Sequence, residues 1–301
     1  MIVVDSIAEL RERLAPGRRA GRRLGLVPTM GAFHEGHLSL MRHAVRCCDD
    51  VVVSLFVNPA QFNDAADLAA YPRDPQADER QARALGVDWL FAPLASEMYP
   101  DGFATMVSVS GVSEPLEGAH RGPTHFQGVA TVVCKLLNIA GPDVAYFGAK
   151  DAQQVAVIRR MATDLGIPSA IEELPTVRAA DGLALSSRNA LLDPADREQA
   201  PALHRALRAV AGAVAAGERD AARALAAGRE QLRGTRAELE YLQLVDPDTM
   251  LEQSELDRAA LALIAARFGA VRLIDNVPVP LGSAEAIDPQ PVATPIGAPT
   301  D

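Results

Sequence analysis

The fold is indicated by one stretch near the N-terminus, Leu24-Gly25-Leu26-Val27-Pro28-Thr29-Met30-Gly31-Ala32-Phe33-His34-Glu35-Gly36-His37. Its first part, residues 24–27, is a short apolar run that predicts a buried strand. After His37, apolar residues recur at helical spacing through Val45, which predicts a helix near 36–46. A strand that turns directly into a helix is typical of a parallel α/β sheet.

The histidines of this stretch form a candidate anion site. His34 and His37 lie three residues apart on the first turn of the predicted helix, so both imidazoles share one face. The N-terminus of a helix offers unpaired N–H groups and a partial positive charge to an anion. Gly31 and Gly36 let the backbone approach a base or a ribose closely. The turn therefore predicts a binding site for a nucleotide triphosphate; the alternative is that the histidines only cap and pack the helix start.

Outward from this stretch, apolar runs continue to alternate with amphipathic helices. Strands are predicted at 51–57, 89–92, 106–109 and 144–147, and helices at 76–85, 129–139 and 152–165. Crossover helices bring the ends of such strands to one edge of the sheet, where ligands bind. We therefore predict an α/β fold with a Rossmann-like, doubly wound parallel sheet, and a catalytic domain over 1–176.

The character of the sequence changes after about residue 176. Asp193-Pro194-Ala195-Asp196 signals a helix start, and two helices interrupted near Gly217 should follow it. Short strands are predicted at 242–245, 260–264 and 271–274, so a smaller C-terminal α+β domain should occupy 177–283 as a lid. Residues 284–301 are rich in Pro, Ala, Gly and Thr and are predicted to be disordered.

Length, charge and cysteine content narrow the class of protein. At 301 residues the chain is longer than one hydrophobic core usually supports. The net charge of −10 argues against nucleic acid as the main partner, because such binding needs a basic face. Three cysteines make a poor disulfide framework, and the sequence contains neither a signal peptide pattern nor a stretch of membrane-spanning length. We therefore expect a cytoplasmic protein without a membrane partner.

Two further polar clusters follow predicted strands. Asn58 and Gln61 come after the strand at 51–57, and their amides can donate and accept hydrogen bonds without adding charge. A plain turn, which Asn-Pro favours, is the alternative there. Lys150 and Asp151 follow the strand predicted at 144–147 and could offset phosphate charge and accept a ribose hydroxyl, respectively. A solvated helix start is the alternative for this second pair.

A third cluster, Ser186-Ser187-Arg188, lies in the predicted link between the domains. Two hydroxyls and a guanidinium suit an anion clamp that closes over a bound triphosphate. Gln154 lies one helical turn beyond Lys150 and is expected to face the same cleft. The chain contains neither a G-x-x-x-x-G-K-[ST] loop nor a G-x-G-x-x-G loop, which excludes the two commonest nucleotide motifs.

In this order and at these separations, the clusters resemble the pantothenate synthetase family of the His-x-Gly-His nucleotidyl-transfer superfamily. The likeness extends to about residue 283 and includes Tyr71-Pro72-Arg73-Asp74, Met98-Tyr99-Pro100, Thr124-His125-Phe126 and residues 128–133. It implies an ATP-dependent ligase that joins pantoate to β-alanine in two steps. The first step would form pantoyl adenylate and pyrophosphate, and the second would release AMP as the amine attacks.

The resemblance also implies roles for individual residues. The ATP site would comprise Met30, Gly31, Ala32, Phe33, His34, Glu35, Gly36, His37, Gly148, Ala149, Lys150, Asp151, Val177, Leu185, Ser186, Ser187 and Arg188. His37 occupies the position that the family treats as the catalytic acid, and the other catalytic groups would be His34, Lys150, Ser186, Ser187 and Arg188. Among the substrate-binding residues, Gln61 and Gln154 would hold pantoate, Gln61 would also lie against β-alanine, and Asn58 would help to orient them. Asp78 matches an acidic position associated with Mg²⁺, which would accompany ATP, and a homodimer is implied as well.

The sequence departs from the family pattern at a few positions. Ala149, Leu185, Ala77 and Gln127 stand where relatives usually carry Glu, Met, an acidic residue and Arg, respectively. None of these changes removes a group assigned to chemistry. Two alternatives to the ligase are an adenylyltransferase of the same superfamily and a non-catalytic nucleotide-binding regulator. The retained histidines, the paired glutamines and the second domain favour the ligase over both.

Overall fold

The computed structural model describes residues 1–281. Within them the chain forms two compact units, Met1–Leu174 with Val245–Glu252, and Pro175–Leu244 with the described residues from Gln253 onward. The tail predicted at 284–301 lies outside the described residues. The predicted domain roles, catalytic for 1–176 and a lid for 177–283, stay predictions.

The first unit is built on a six-stranded parallel sheet. Its strands are β1 (Ile2–Val4), β2 (Leu24–Thr29), β3 (Asp50–Leu55), β4 (Trp89–Phe91), β5 (Val144–Gly148) and β6 (Ala170–Leu174), in the order β1-β4-β3-β2-β5-β6. From β2 the chain winds outward through β3 and β4, and it then crosses to β5 and β6 on the other side. The direction of winding thus reverses between β2 and β5, which confirms the predicted doubly wound sheet.

Helices connect the strands of this unit and cover its sheet. They are α1 (Ile7–Arg19), α2 (Glu35–Cys47), α3 (Ala65–Ala70), α4 (Pro75–Ala84), α5 (Ala95–Met98), α6 (Glu117–Arg121), α7 (Pro123–Ala140) and α8 (Ala152–Asp164), with short 3₁₀ turns at Pro59–Gln61 and Ala149–Asp151. On one face, Met41 of α2 and Ala82 of α4 belong to the same buried cluster as Val27 of β2. The preceding residue of the strand, Leu26, points to the opposite face and is also buried. Both faces are therefore covered, as a parallel sheet requires.

Two predicted elements of this unit differ from the structure. The strand predicted at 106–109 was wrong, because these residues form no strand and the N–H of Val107 donates instead to Thr131 Oγ1 at 2.9 Å. The helix predicted over 129–139 begins earlier, at Pro123. Proline suits the first helical position because its φ is already helical and its missing N–H would have had no partner there.

The second unit combines three helices with a small antiparallel sheet. The helices are α9 (Pro194–Gln199), α10 (Ala202–Ala215) and α11 (Ala221–Glu230), and the strands are β7 (Glu238–Val245), β8 (Ala260–Phe268) and β9 (Val271–Val279), in the order β7-β8-β9. Leu207 and Val210 of α10 share an apolar core with Ile264 of β8. The predicted α+β character is confirmed, although each strand is longer than its apolar run suggested.

Candidate active site

The histidine turn connects β2 to α2. His34 caps the helix, since its Nδ1 accepts the N–H of Gly36 at 3.1 Å. His37 Nδ1 in turn accepts the N–H of His34 at 3.4 Å, and the two ring centroids lie 4.2 Å apart. Because each Nδ1 acts as an acceptor, each neutral ring carries its proton on Nε2. The histidines therefore cap the helix and keep an N–H donor on the other side of each ring.

Burial keeps both imidazoles neutral. Desolvation, followed by the charge of Lys150, lowers the pKa of His34 to about 4. Desolvation, followed by the neighbouring His34 and Lys150, lowers the pKa of His37 to about 3. At pH 7 both rings are thus neutral donors through Nε2. Because the lysine charge acts on both rings, the three side chains share one neighbourhood.

The backbone of the turn is held by Asp78 of α4. The Asp78 carboxylate accepts the N–H of Ala32 at 2.9 Å and the N–H of Phe33 at 2.8 Å. Gly31 adopts a φ of 86°, and a Cβ there would lie 2.7 Å from Leu55 Cδ1 and 2.9 Å from Asp78 Oδ2. A larger residue would therefore be strained and would displace the carboxylate. The glycine and the aspartate together fix the path of the turn.

This arrangement bears on the predicted Mg²⁺ ligand. Asp78 is 2% exposed, and each of its oxygens accepts a backbone N–H. Burial raises the pKa of the carboxyl, and the N–H groups of Phe33 and Ala32 oppose that shift. Within residues 1–281, no group of three or more His, Cys, Asp or Glu side chains could hold a metal ion. The predicted role of Asp78 toward Mg²⁺ stays a prediction.

The end of β5 lies beside the histidine turn. β2 and β5 pair in parallel, with Leu26 opposite Ala145, so their carboxyl ends meet at one edge of the sheet. β5 ends at Gly148, and the following turn contains Lys150 and Asp151. The Nζ of Lys150 lies 3.7 Å from Asp151 Oδ1. The structure therefore brings the predicted 30–37 and 148–151 segments together at the point where the winding reverses, as expected for a ligand site.

Asn58, predicted to hold substrate, is fully engaged by the protein. It is 1% exposed. Its Oδ1 accepts the Tyr99 hydroxyl at 2.6 Å and the N–H of Ala60 at 3.3 Å. Its Nδ2 donates to Gln61 Oε1 at 3.0 Å and to the carbonyl of Gly128 at 3.1 Å. An amide has about four hydrogen-bonding positions, so Asn58 retains none for a substrate.

Gln61 links this cluster to the histidine turn. Its Nε2 donates to Met30 Sδ at 3.2 Å. Its backbone carbonyl lies 2.9 Å from Nδ1 of His125, which must be the donor because a carbonyl oxygen only accepts. Burial, followed by the charge of Arg121, lowers the pKa of His125 to about 4. In the sequence, His125 was noted only within Thr124-His125-Phe126, which resembles the family. Motif spacing could not predict its contact with Gln61, 64 residues away.

Gln154 lies in the first turn of α8 and is half-buried. The preceding residue, Gln153, is 2% exposed, and its amide holds the loop before α6. The Oε1 of Gln153 accepts the N–H of Glu117 at 2.9 Å. The Nε2 of Gln153 donates to the carbonyl of Pro115 at 2.7 Å. Of the two neighbouring glutamines, only Gln154 has an amide that is not committed to holding a loop. The predicted choice of Gln154 for substrate binding stays a prediction.

The remaining predicted ATP ligands belong to the second unit. The N–H of Leu185 donates to the carbonyl of Val177 at 2.9 Å, so the structure brings these two residues together. Ser186 Oγ accepts the N–H of Arg188 at 3.3 Å and begins the 3₁₀ turn that runs from Ser187 to Leu191. The approach of this segment to the histidine turn stays a prediction.

A buried ion pair anchors the 177–185 segment within the second unit. Arg178 donates to both oxygens of Asp275 on β9, with Nη1–Oδ2 at 2.6 Å and Nη2–Oδ1 at 2.9 Å. The same guanidinium donates to the carbonyls of Gly182, at 3.2 Å, and Asn276, at 3.1 Å. Sequence reasoning missed this pair because its partners lie 97 residues apart.

The comparisons with known proteins agree on one family. The model of the family described as pantoate-beta-alanine ligase matches residues 2–278. A pantothenate synthetase from Chelativorans sp. is 55% identical over 278 residues, which cover 92% of this chain and 97% of that protein. One from Deinococcus radiodurans is 54% identical over 264 residues, which cover 85% of this chain and 94% of that protein.

Solved structures give the same result. A pantothenate synthetase from Thermus thermophilus superposes with a TM-score of 0.87 at 48% identity and covers 92% of this chain and 99% of its own. A pantoate-beta-alanine ligase from Francisella tularensis, complexed with beta-gamma ATP and beta-alanine, has a TM-score of 0.74 at 35% identity and covers 92% of this chain and 97% of its own.

Proposed function

The chain belongs to the pantoate-beta-alanine ligase family, and from that premise we propose how its residues carry out the reaction. The enzyme condenses pantoate with β-alanine and converts ATP to AMP and pyrophosphate through pantoyl adenylate. One observation carries the assignment of the site. Two neutral imidazoles and the Lys150 ammonium share a neighbourhood at the edge where β2 and β5 end.

In the first step, the pantoate carboxylate attacks the α-phosphorus, and negative charge develops on the phosphoryl oxygens. His34 and His37 donate to those oxygens through Nε2–H, and Lys150 supplies positive charge. Donors that are already oriented stabilise the transition state more than the ground state, because no reorganisation is needed as the charge develops. Asp151 accepts a ribose hydroxyl, and residues 30–37 with 148–151 enclose the nucleotide.

His37 acts in this scheme as a neutral hydrogen-bond donor and does not transfer a proton. Burial and the neighbouring His34 and Lys150 lower its pKa to about 3, so the ring is neutral at pH 7. Protonation would also place a hydrogen on Nδ1, which accepts the N–H of His34 and completes the helix cap. The cap therefore opposes the acid role that the family resemblance implies for this position.

The second unit contributes Val177, Leu185, Ser186, Ser187 and Arg188 to the nucleotide. Val177 and Leu185 line the nucleotide, and the hydroxyls and the guanidinium of the others bind phosphate. Arg188 makes no side-chain hydrogen bond or ion pair with another of residues 1–281, so its charge is available to a triphosphate. Closure of this segment excludes water from the acyl adenylate.

Pantoate is held by Gln61 and Gln154, with Asn58 acting on Gln61 and not on the substrate. In the second step the β-alanine amine attacks the acyl carbon, the bond to the phosphate oxygen breaks, and AMP leaves. The acyl adenylate is already activated, so the enzyme chiefly orients the amine. No enzyme nucleophile is required.

Mg²⁺ enters with the triphosphate in this proposal. Mg²⁺ is commonly held by few protein ligands together with phosphates and water, and it would offset the charge of the pyrophosphate group. Asp78 holds the turn through both of its oxygens, and one lone pair on each oxygen would remain for Mg²⁺.

A homodimer and a cytoplasmic location complete the proposal. The dimer follows from the family resemblance, and the location follows from the cysteine content of the sequence. None of the helices in the described part of the chain has the length and apolar character needed to cross a bilayer. Size-exclusion chromatography with light scattering tests the dimer directly: a mass of 31.9 kDa in solution would contradict it.

The order of the two chemical steps can be tested with the substrates alone. With ATP and pantoate, the enzyme should release one equivalent of pyrophosphate rapidly and little AMP. Addition of β-alanine should then release AMP in step with pantothenate. Pyrophosphate release that does not depend on pantoate would contradict the proposed site, and AMP release before β-alanine is added would contradict a stable enzyme-bound adenylate.

A further inference from the structure

We propose that Tyr99 is a positioning residue for the substrate: its hydroxyl holds Asn58, and Asn58 fixes the amide of Gln61 with its NH₂ group toward the pocket. The inference rests on the proposed assignment of Gln61 to the substrate. It concerns three side chains of the first unit, joined by hydrogen bonds of 2.6 Å and 3.0 Å. Tyr99 itself does not contact substrate in this arrangement.

The orientation of Asn58 follows from two backbone groups whose chemistry is unambiguous. The N–H of Ala60 can only donate, so the atom of Asn58 that faces it is Oδ1. The carbonyl of Gly128 can only accept, so the atom that faces it is Nδ2. A flipped amide would set its NH₂ group against the N–H of Ala60 and its oxygen against the carbonyl. The buried Asn58 amide therefore has one permitted orientation.

The orientation of Gln61 follows from that of Asn58. The Nδ2 of Asn58 donates to Gln61 Oε1, so a flipped Gln61 would oppose two NH₂ groups. Its Nε2 is left facing the histidine turn, where it reaches Met30 Sδ at 3.2 Å. A thioether sulfur is a weak acceptor that a substrate oxygen can replace. Gln61 therefore presents a donor, which suits a carboxylate or hydroxyl oxygen of pantoate and not the ammonium group of β-alanine.

Tyr99 supplies the shorter of the two hydrogen bonds to Asn58 Oδ1, at 2.6 Å against 3.3 Å for the N–H of Ala60. Its ring is held edge-on to Phe103, with centroids 5.0 Å apart, and Lys135 Nζ lies 4.7 Å from the Phe103 centroid. Burial raises the pKa of Tyr99 to about 12, so the hydroxyl remains a donor at neutral pH. Without this hydroxyl, Oδ1 would keep only its long bond to the N–H of Ala60, so the Asn58 amide would keep its orientation but would be held less tightly against Gln61.

The substitution Tyr99→Phe tests the role of the hydroxyl, because it keeps the ring and its packing. Loss of one buried hydrogen bond should raise the KM for pantoate about fivefold to tenfold. The KM values for ATP and β-alanine should stay within about twofold. The matched control is Tyr146→Phe, which removes a hydroxyl of the same unit whose partner is Cys48 Sγ at 3.5 Å. This control should leave all three KM values unchanged.

A double-mutant cycle separates a positioning role from a general structural one. In a Gln61→Ala background, Tyr99→Phe should have no further effect on the KM for pantoate, because the hydroxyl acts through Gln61. If Tyr99→Phe raised the KM for pantoate equally in both backgrounds, the proposal that Tyr99 acts through Gln61 would be wrong. If Gln61→Ala leaves the KM for pantoate unchanged, the substrate assignment of Gln61 is wrong. If Gln61→Ala raises the KM for pantoate but Tyr99→Phe does not, Gln61 still binds the substrate, but Tyr99 does not position it.

The substitution Gln61→Glu tests the donor orientation. A carboxylate could still accept from Asn58, but it would turn its second oxygen toward an anionic substrate. The KM for pantoate should therefore rise more in Gln61→Glu than in Gln61→Ala, by about tenfold or more. A value for Gln61→Glu equal to or below that of Gln61→Ala would show that the NH₂ group does not face pantoate.

Discussion

Two segments of the chain are proposed to donate hydrogen bonds to phosphate, and they are built in opposite ways. In the histidine turn, residues 30–37, each catalytic imidazole uses one nitrogen to complete the helix cap, and Asp78 holds two backbone N–H groups. In the segment Ser186–Arg188, the main internal bond is the one from the N–H of Arg188 to Ser186 Oγ. The guanidinium has no hydrogen-bonded or ionic partner elsewhere in residues 1–281.

The difference shows where this enzyme is organised before ATP binds. The Nε2–H donors of the histidine turn keep their directions without ligand, so they cost little reorganisation in the transition state. The Arg188 side chain must lose rotamer freedom when phosphate binds, which costs about 2 kcal/mol of side-chain entropy at most. If the proposed roles hold, substitutions in the first segment should affect both stability and catalysis, whereas substitutions in the second should affect catalysis alone.

The largest effect should come from His37→Ala. The substitution removes a transition-state donor and one member of the capping box, so adenylation should slow by about 10² to 10³ and the free energy of unfolding should fall by ~1 kcal/mol. Single-turnover pyrophosphate release and denaturant unfolding measure the two quantities. The control is His43→Ala, which removes an imidazole from the other end of α2. Normal adenylation by His37→Ala would contradict the assignment of this turn.

Arg188→Ala should separate activity from stability. We expect kcat to fall by about 10², as for loss of one charge-assisted contact to phosphate, while the Tm changes by no more than about 1 °C. Arg233→Ala is a suitable control, because its guanidinium pairs with Glu230 at 3.0 Å on an exposed helix end. A large fall in Tm for Arg188→Ala would mean that the segment is organised before binding, and the contrast between the two regions would fail.

Asp78→Asn should weaken the histidine turn from outside the site. An amide can accept only one of the two N–H groups and must turn its own NH₂ toward the other, so the KM for ATP should rise about tenfold. The Mg²⁺ concentration that gives half-maximal activity should not change if Asp78 holds the turn. An increase in that concentration without a change in the KM for ATP would instead assign Asp78 to the metal.

The smallest effect on activity is expected from pH. His34 and His37, with pKa values of about 4 and 3, stay neutral from pH 6 to 8. The adenylation rate should therefore show no pH dependence from these two rings across that range. The unfolded chain, with histidine pKa values near 6.5, binds more protons than the folded chain between about pH 6.5 and pH 4. The stability that these rings contribute is therefore complete above about pH 6.5 and is lost as the pH falls. Unfolding measured at pH 7 and pH 5 should show this loss, and His37→Ala should reduce it.

Much of the fold could be predicted from periodicity because the central strands are nearly continuous apolar runs. β2, β3, β4 and β5 were all predicted, as were α2, α4 and α8. β6 was not predicted, because it lies at the sheet edge and contains Glu172 and Glu173, which give it no apolar run. The strand predicted at 106–109 failed for the opposite reason, since its pattern fits a strand but a side-chain hydroxyl takes its backbone donor.

The sequence predicted which residues belong to the candidate site, but it did not predict which of them bond to each other and which remain for a ligand. His34, His37 and Lys150 were named from their positions after strands, and the structure places them together. Asn58 was predicted to help orient the groups at the substrate site, but its bonds to Gln61 and to Tyr99, 41 residues away, could not be read from the sequence. Neither periodicity nor motif spacing reports a hydrogen bond between side chains so far apart in the chain.

The sequence by itself determined the alternation of the central strands with their helices and the chemical inventory of the site. These properties depend on neighbours within a few residues, where backbone geometry makes spacing informative. Only the tertiary structure decided which groups are used internally and which remain for ligands. Internal hydrogen bonds leave the Nε2–H of each histidine as a donor, use Asp78 to hold the turn, and fix the direction of the Gln61 amide. This division arises because a buried polar atom must find a partner wherever the fold brings one, however distant that partner is in the sequence.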